Sequence, residues 1–303
     1  GRLLELRERI GAVQAVERRV LESASGRLRH WIAHIPEPAA PPARRSLAAV
    51  HHPPGRARWR VAYFLGCATN AFQAPAARAA VRLLQRAGCR VDIPPATCCG
   101  GPHRSAGDLD TARRLARRNL DLLTREPWDW IVSDCATCTH ALHDYTAFFD
   151  ADDPAQEQAA RLAARVIDWS TLLAEHLPPL PGLAPRPGRV TYHDPCHAVR
   201  GLGVRETPRE LLRRIPGVEL VEMQGADVCC GGAGAYGFLH ADLSRSILEA
   251  KIAAVAATQV DVVATACPSC LLQLAGGLKA GGLAARARHP LELMAGSAGL
   301  MPD

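Results

Sequence analysis

The sequence predicts an α/β protein of two tandem domains built on parallel sheets, preceded by an N-terminal helix and a proline-rich linker. Three observations carry this. The chain has 303 residues, 48% of them apolar, enough for two buried cores. Ten of its 11 cysteines fall into one pattern written twice. Short apolar runs alternate with stretches of helical periodicity, the signature of β-α-β units. The expected boundaries are 1–58 for the basic helix and linker, 59–183 for the first domain and 184–303 for the second.

The duplication is read from the cysteines. Cys67 is followed after 30 residues by Cys98–Cys99, and after 35 more by Cys135-x-x-Cys138. Cys196 is followed after 32 residues by Cys229–Cys230, and after 36 more by Cys267-x-x-Cys270. Corresponding cysteines lie 129 to 132 residues apart, an offset shared by five landmarks. Both adjacent pairs lead into two glycines, "ATCCGGPH" and "DVCCGGAG".

The elements follow in order. Leu and Arg alternate over residues 3–33, as in an amphipathic helix that packs on the body or a partner. Pro36–Pro54 reads as a linker or extended arm. Arg60–Cys67 is a buried strand, Ala74–Ala87 a helix, and Cys89–Pro94 a second strand closed by prolines. Asp108–Arg125 is a helix with Leu109, Ala112, Ala116, Leu120 and Leu123 on its apolar side. Trp128–Cys135 is a third strand, with a helix starting at its C-x-x-C. The second copy repeats the order: strand Arg189–Cys196, helix from Thr207, strand Val218–Met223, helix from Asp242, strand Val260–Cys267. Each cysteine group thus follows the carboxyl end of a strand, where open parallel sheets bind ligands. The glycines permit a sharp turn and close approach of the backbone to a bulky group.

Clustered cysteines in a large chain without a visible signal peptide read as metal ligands or redox centres. Zinc takes four ligands, commonly in two short pairs. Ordinary cubane clusters also take four. Five per half, including an adjacent pair, favours a larger iron–sulfur assembly and leaves a zinc-stabilised scaffold as the alternative.

The pattern C…CCG…CxxC, twice, resembles the cysteine-rich CCG domains of the heterodisulfide reductase B-type family. That family also takes in glycolate oxidase iron–sulfur subunits, the C subunit of anaerobic glycerol-3-phosphate dehydrogenase and lactate-utilisation proteins. "YHDPCHAVRGLGVRETPRELLRRIPGVELVEM", "VCCGGAGAYGFL" and "HPLELMAG" are similar to the glycolate oxidase and lactate-utilisation branch. "FLGC" and "CCGGPHRSAGDLDTARRLARRNLD" support the same resemblance in the first half. It implies two Rossmann-like CCG domains, each with one 4Fe–4S cluster, non-cubane in the heterodisulfide reductase branch. The implied ligands are Cys67, Cys98, Cys99, Cys135 and Cys138, then Cys196, Cys229, Cys230, Cys267 and Cys270. The implied function is an iron–sulfur electron-transfer subunit of a flavin-linked 2-hydroxyacid dehydrogenase, with glycolate oxidase the best single match. Such a chain is inactive alone on the hydroxyacid and works with an FAD-binding oxidase subunit. The alternative is a cluster that reduces a disulfide substrate directly.

Glycolate oxidase iron–sulfur subunits also carry a ferredoxin-like N-terminal module. "GRLLELRERIG" resembles the segment just after it, so that module is expected to be truncated here or supplied by a partner. No flavin is expected on this chain, since no G-x-G-x-x-G opens a helix. Residues 1–60 hold 12 Arg and 5 Glu, which accounts for the whole +6 net charge. Scarce aromatics argue against nucleic acid, leaving a docking arm or solvated helix face. No apolar run is long enough for a membrane span. The expected location is cytoplasmic, with peripheral contact at the inner membrane allowed. Cys89 matches no repeat position and reads as an inert buried thiol. His193 and His197 flank Cys196 and could bond cluster sulfur or carry protons, though core or capping roles are the commoner outcome. His103 follows the first cysteine pair and could serve substrate or proton handling, though a role in neither is the commoner outcome.

Overall fold

The computed structural model of the chain describes residues 41–301, excepting position 235 and the side chain at 238. The expected N-terminal helix and most of the basic arm lie outside the described residues.

Among the described residues, nine strands form two sheets. In the first half β1 is Val50–His51, β2 Trp59–Tyr63, β3 Cys89–Asp92, β4 Trp130–Ser133 and β5 Val166–Asp168. In the second half β6 is Gly188–Tyr192, β7 Val218–Leu220, β8 Val262–Ala264 and β9 Arg286–Arg288. The sheet orders are β1-β3-β2-β4-β5 and β7-β6-β8-β9. Without β1 the two are the same order, and every pairing in that shared order is parallel. The duplication read from cysteine spacing is therefore a duplication of topology.

Each parallel pair needs a crossover, and the helices supply it. Ala74–Arg86 links β2 to β3, and its buried alanines let the helix sit close to the sheet, with Val81, Leu83 and Leu84 filling the rest. Leu109–Leu123 links β3 to β4 and is capped by the Asp108 carboxylate, which accepts from Thr111 N at 3.2 Å. Ala112, Ala116, Leu120 and Leu123 are buried as expected, but Leu109 is 49% exposed. It sits at the first helical position, where the chain is only entering the apolar stripe. The stretch expected as a linker is more ordered than that reading. Ala43–Ser46 is helical, and β1 pairs antiparallel with β3 through Val50–Asp92 and His51–Val91. Two residues carry too little periodicity to announce a strand.

The halves share a core. One continuous cluster of buried side chains contains Val61, Tyr63 and Leu83 from the first half with Tyr192, Leu211 and Ala295 from the second. The helix Ala74–Arg86 packs directly against Pro290–Ser297. A second cluster lies under Leu109–Leu123 and a third under Ala241–Thr258 and Pro268–Ala280. The shared cluster fixes the two sheets so that their cysteine-bearing edges face each other.

Candidate metal centre

Cysteines arrive at strand ends by three local devices. The first is the helix start. Cys67 opens the helix Cys67–Phe72, Cys135 caps Ala136–His143, and Cys267 caps Pro268–Ala280. A helix amino end favours a thiolate. The second device is the glycine turn. Gly100 and Gly231 take φ of +82° and +83°, so the chain folds back and their N–H groups point at Cys98 Sγ (3.5 Å) and Cys229 Sγ (3.3 Å). The third is clearance. A Cβ at Gly66 would lie 2.9 Å from Cys138 Sγ, so only glycine leaves room for that sulfur.

Buried polar groups hold the paired turns. In the first half Asn119 Nδ2 donates to Cys98 O at 2.8 Å, and Tyr145 Oη donates to Cys99 O at 2.9 Å. In the second, Ser244 Oγ donates to Gly231 O at 2.9 Å and accepts from Gln273 Nε2 at 3.1 Å. A half-buried arginine and a buried lysine satisfy the carbonyls just upstream. Arg44 reaches Pro94 O (3.1 Å) and Ala96 O, while Lys251 Nζ reaches Gly225 O at 2.5 Å. The sequence pattern did not single out these residues, because a polar side chain on a helix looks solvent-facing until a loop is laid across it.

The expectation of two self-contained sites changes in one respect. The sheets are separate, but the two cysteine sets meet. Thiol interactions run from Cys67 through Cys98, Cys99, Cys138 and Cys135, cross to Cys267, and continue through Cys270, Cys230 and Cys229. Cys196 lies at the edge of the second set, feeling Cys267 and Cys230. Crowded thiols cannot all ionise, so they divide. Hydrogen bonding from Cys67, then Cys99, holds Cys98 down to about 3, while the Cys98 contact pushes Cys67 up. Contact with Cys229, then Cys270, lowers Cys230, and contact with Cys135, then Cys270, lowers Cys267. For all ten to ionise, cations must lie among them. The donor set is dominated by sulfur, mostly buried and glycine-lined, which fits an iron–sulfur group.

Cys89 stands apart. It is fully buried in the shared apolar core, where burial pushes its thiol up to about 12. His103 Nδ1 lies 3.0 Å from Asp108 Oδ2, beside the first glycine turn. His197 Nδ1 is 3.2 Å from Thr137 Oγ1, which is itself 3.5 Å from Cys267 Sγ. The two halves are thus stitched sulfur to hydroxyl to imidazole. A cavity of about 610 Å³ opens beside this stitch, lined by Gly101, Arg104, Thr137, His140, His197 and Tyr236 among others.

The seam is also closed by backbone. Ala136 N donates to Ala266 O at 3.0 Å. The equivalent bond from position 268 to Asp134 O cannot form, because Pro268 has no N–H. His289 Nε2 donates to Asp134 O instead, at 2.8 Å, while its Nδ1 accepts from Leu291 N at 3.1 Å. The Leu291 bond needs an unprotonated Nδ1 and so the neutral ring, and burial lowers His289 to about 4. Below pH 6.5 the unfolded chain therefore binds a proton that the folded chain refuses, and stability falls as pH drops from 6.5 towards 4. At ~1.4 kcal/mol per unit this is of order 2–4 kcal/mol. The neighbouring Asp134 carboxyl, raised to about 7 by burial, acts in the opposite direction across this whole range and offsets it. The contrast between wild type and H289Q isolates the histidine. Going from pH 7 to 4.5, the urea midpoint of wild type should change less favourably than that of H289Q, and identical signed changes would contradict the assignment.

These features define a class: a duplicated parallel α/β protein with a cysteine-lined seam at the carboxyl ends of both sheets. A family model described as "Cysteine-rich domain" (CCG) matches residues 61–143 and 190–275, and the chain belongs to that family. It is 34% identical over 310 residues to the probable glycolate oxidase iron-sulfur subunit of Bacillus subtilis, covering 98% of this chain and 68% of that protein. It is 31% identical over 236 residues to lactate utilization protein A of Geobacillus thermodenitrificans, covering 78% of this chain and 98% of that one. It is 34% identical over 226 residues to a fumarate reductase (CoM/CoB) subunit of Methanothermobacter marburgensis, covering 74% and 43%. A crystal structure of a hypothetical protein from Helicobacter pylori shares the fold, with a TM-score of 0.56 at 10% identity over 90% of this chain and 58% of that one. Among the described residues no helix is long and apolar enough to cross a membrane.

Proposed function

We propose that this chain is an iron–sulfur electron-transfer subunit of a flavin-linked 2-hydroxyacid dehydrogenase, with glycolate as substrate of the partner. The observation that carries the reading is the seam itself, where two equivalent five-cysteine sets meet through the interaction of Cys135 with Cys267. The ligand sets are Cys67, Cys98, Cys99, Cys135 and Cys138 for one 4Fe–4S cluster and Cys196, Cys229, Cys230, Cys267 and Cys270 for the other. The clusters supply one-electron chemistry between an FAD-binding subunit and a downstream acceptor. The protein's own part is to place sulfur, bury it and direct N–H and O–H groups at it. The glycine N–H groups on Cys98 and Cys229, and the Thr137 hydroxyl near Cys267, do the last of these. The names of the relatives favour glycolate and lactate over other hydroxyacids.

The test is anaerobic purification followed by metal analysis and electron paramagnetic resonance. Roughly eight iron and eight sulfide per chain are expected. Stoichiometric zinc without acid-labile sulfide would overturn the reading in favour of a scaffold. Adding the FAD-binding partner and glycolate should then bleach the iron–sulfur absorbance, which glycolate without the partner should leave unchanged. The cavity beside Thr137 and His197 supports a second reading, in which a small disulfide is reduced at the seam. Turnover of a disulfide by the chemically reduced chain, without a partner, would favour it.

A further inference from the structure

The two halves are not chemically equal, and the difference sits at one position. Phe64 and His193 occupy equivalent places, three residues before Cys67 and Cys196. Their backbones make the same bond: Phe64 N donates to Val132 O and His193 N to Ala264 O, each at 2.8 Å. Phe64 is buried in the cluster that includes Cys99 and Cys138. His193, 1% exposed, faces the corresponding pair: a ring nitrogen of His193 and the Sγ atoms of Cys230 and Cys270 all lie within 4.8 Å of one another. An apolar ring lines the first set of sulfurs, and an imidazole lines the second.

The orientation of the imidazole is fixed by its other nitrogen. His193 Nδ1 lies 3.1 Å from Ala226 O. That carbonyl also accepts from Asp194 N at 3.0 Å and lies 3.4 Å from Lys251 Nζ. A carbonyl oxygen has no proton to give, so Nδ1 carries the hydrogen. In the neutral ring Nε2 is then the nitrogen left with a lone pair, on a ring that has one nitrogen within 4.8 Å of both sulfurs. Among thiolates such a lone pair is repelled unless a cation lies between them. A backbone carbonyl that fixes one ring nitrogen so the other can ligate is the usual second partner of a metal-binding histidine.

We propose that His193 Nε2 is a nitrogen ligand to the metal centre held by Cys230 and Cys270, so that the second centre has mixed sulfur–nitrogen ligation and the first has sulfur only. This rests on the reading of the cysteine seam as a metal site, and not on which metal fills it.

The test uses the full chain with histidine labelled by ¹⁴N or ¹⁵N. In the reduced iron–sulfur protein, pulsed electron paramagnetic resonance should show a directly ligated nitrogen whose coupling changes with the label. H193F, which copies Phe64, should lose that coupling and keep the signal of the first centre. Metal-free protein titrated anaerobically with Co²⁺ gives an independent readout. Wild type should show one strongly hyperfine-shifted histidine N–H, the Nδ1 proton held by Ala226. H193F should lose that resonance and bind the second Co²⁺ at least about tenfold more weakly, the loss an outer partner alone would cause. If H193F does not fold, the label comparison in wild type still decides. Only weak, hydrogen-bond-sized nitrogen coupling with no shifted N–H would overturn the proposal and make His193 a donor to sulfur. If cobalt shows the ligand but no iron–sulfur cluster can be obtained, the electron-transfer reading fails and the ligand assignment stands.

Discussion

Arg209→Met is expected to remove ~3–5 kcal/mol of stability, because it strands a buried carboxylate. Arg209 and Asp194 are both almost fully buried, with side chains 5% and 1% exposed. The guanidinium meets Asp194 through two bonds, at 2.7 and 2.8 Å, and gives its Nε to Glu222 at 2.9 Å. It also lies over the Tyr192 ring, 5.3 Å from the centroid. The attraction to Asp194 and Glu222 outweighs the burial penalty and raises the arginine pKa further. Asp194 is two residues before Cys196, and its N–H bonds Ala226 O, so a displaced Asp194 pulls on the second cysteine set. Chemical denaturation of the single variant should therefore show both the lost stability and the release of metal from the second site. Replacing both partners, as in R209M with D194N, should recover much of the loss, because no unpaired charge remains. A single-variant loss below about 1 kcal/mol would show that water reaches this pair.

Gly231→Ala should be the most damaging one-atom change in the molecule. Its φ of +83° alone costs an alanine ~1–2 kcal/mol. The added Cβ would also sit 2.5 Å from Ser244 O, backbone of the long helix Ala241–Thr258. A backbone atom cannot swing away as a side chain can, so the helix or the Cys229–Cys230 turn must shift. A total above ~3 kcal/mol is expected, with loss of metal at the second set. Gly100→Ala, at the equivalent turn, should cost less: φ is the same within a degree, but the nearest atom, Ala112 O, is 3.1 Å away. Gly55→Ala, with φ +92° and nothing within 4 Å, gives the strain alone. Denaturation midpoints should rank these three in that order. A Gly231 variant no worse than the Gly55 one would mean that the turn and helix move freely.

Much of this arrangement was legible in the chain because cysteine spacing and crossover length are the same quantity. A strand, a helix and a loop consume thirty-odd residues, so Cys67 to Cys98 and Cys196 to Cys229 announce neighbouring strand ends. What stayed hidden has a different physical origin. β5 and β9 have three residues each and β1 two, and unlike the equally short β7 and β8 they lead into no cysteine landmark. The contact of Cys135 with Cys267 depends on the shared core of Val61, Tyr63, Tyr192 and Leu211, a matter of long-range packing. His289 reads as a residue near the C-terminus, and only the missing N–H of Pro268 gives it a task. His193 was visible as a neighbour of Cys196, but its tautomer needed the Ala226 carbonyl, 33 positions away, to define it.

The bond from Ala136 to Ala266, and the absent mate at Pro268, bear on why the repeat is one polypeptide. Two identical subunits related by a dyad must use the same residue on both sides of their contact, so every improvement on one side is imposed on the other. A fused pair is released from that rule. One side can keep an amide where its twin carries proline, and one pocket can hold phenylalanine where its twin holds histidine. A homodimer of either half would offer two interchangeable ends with no sense of direction. The covalent join makes the ends distinguishable, and a protein with distinguishable ends can have an entrance and an exit.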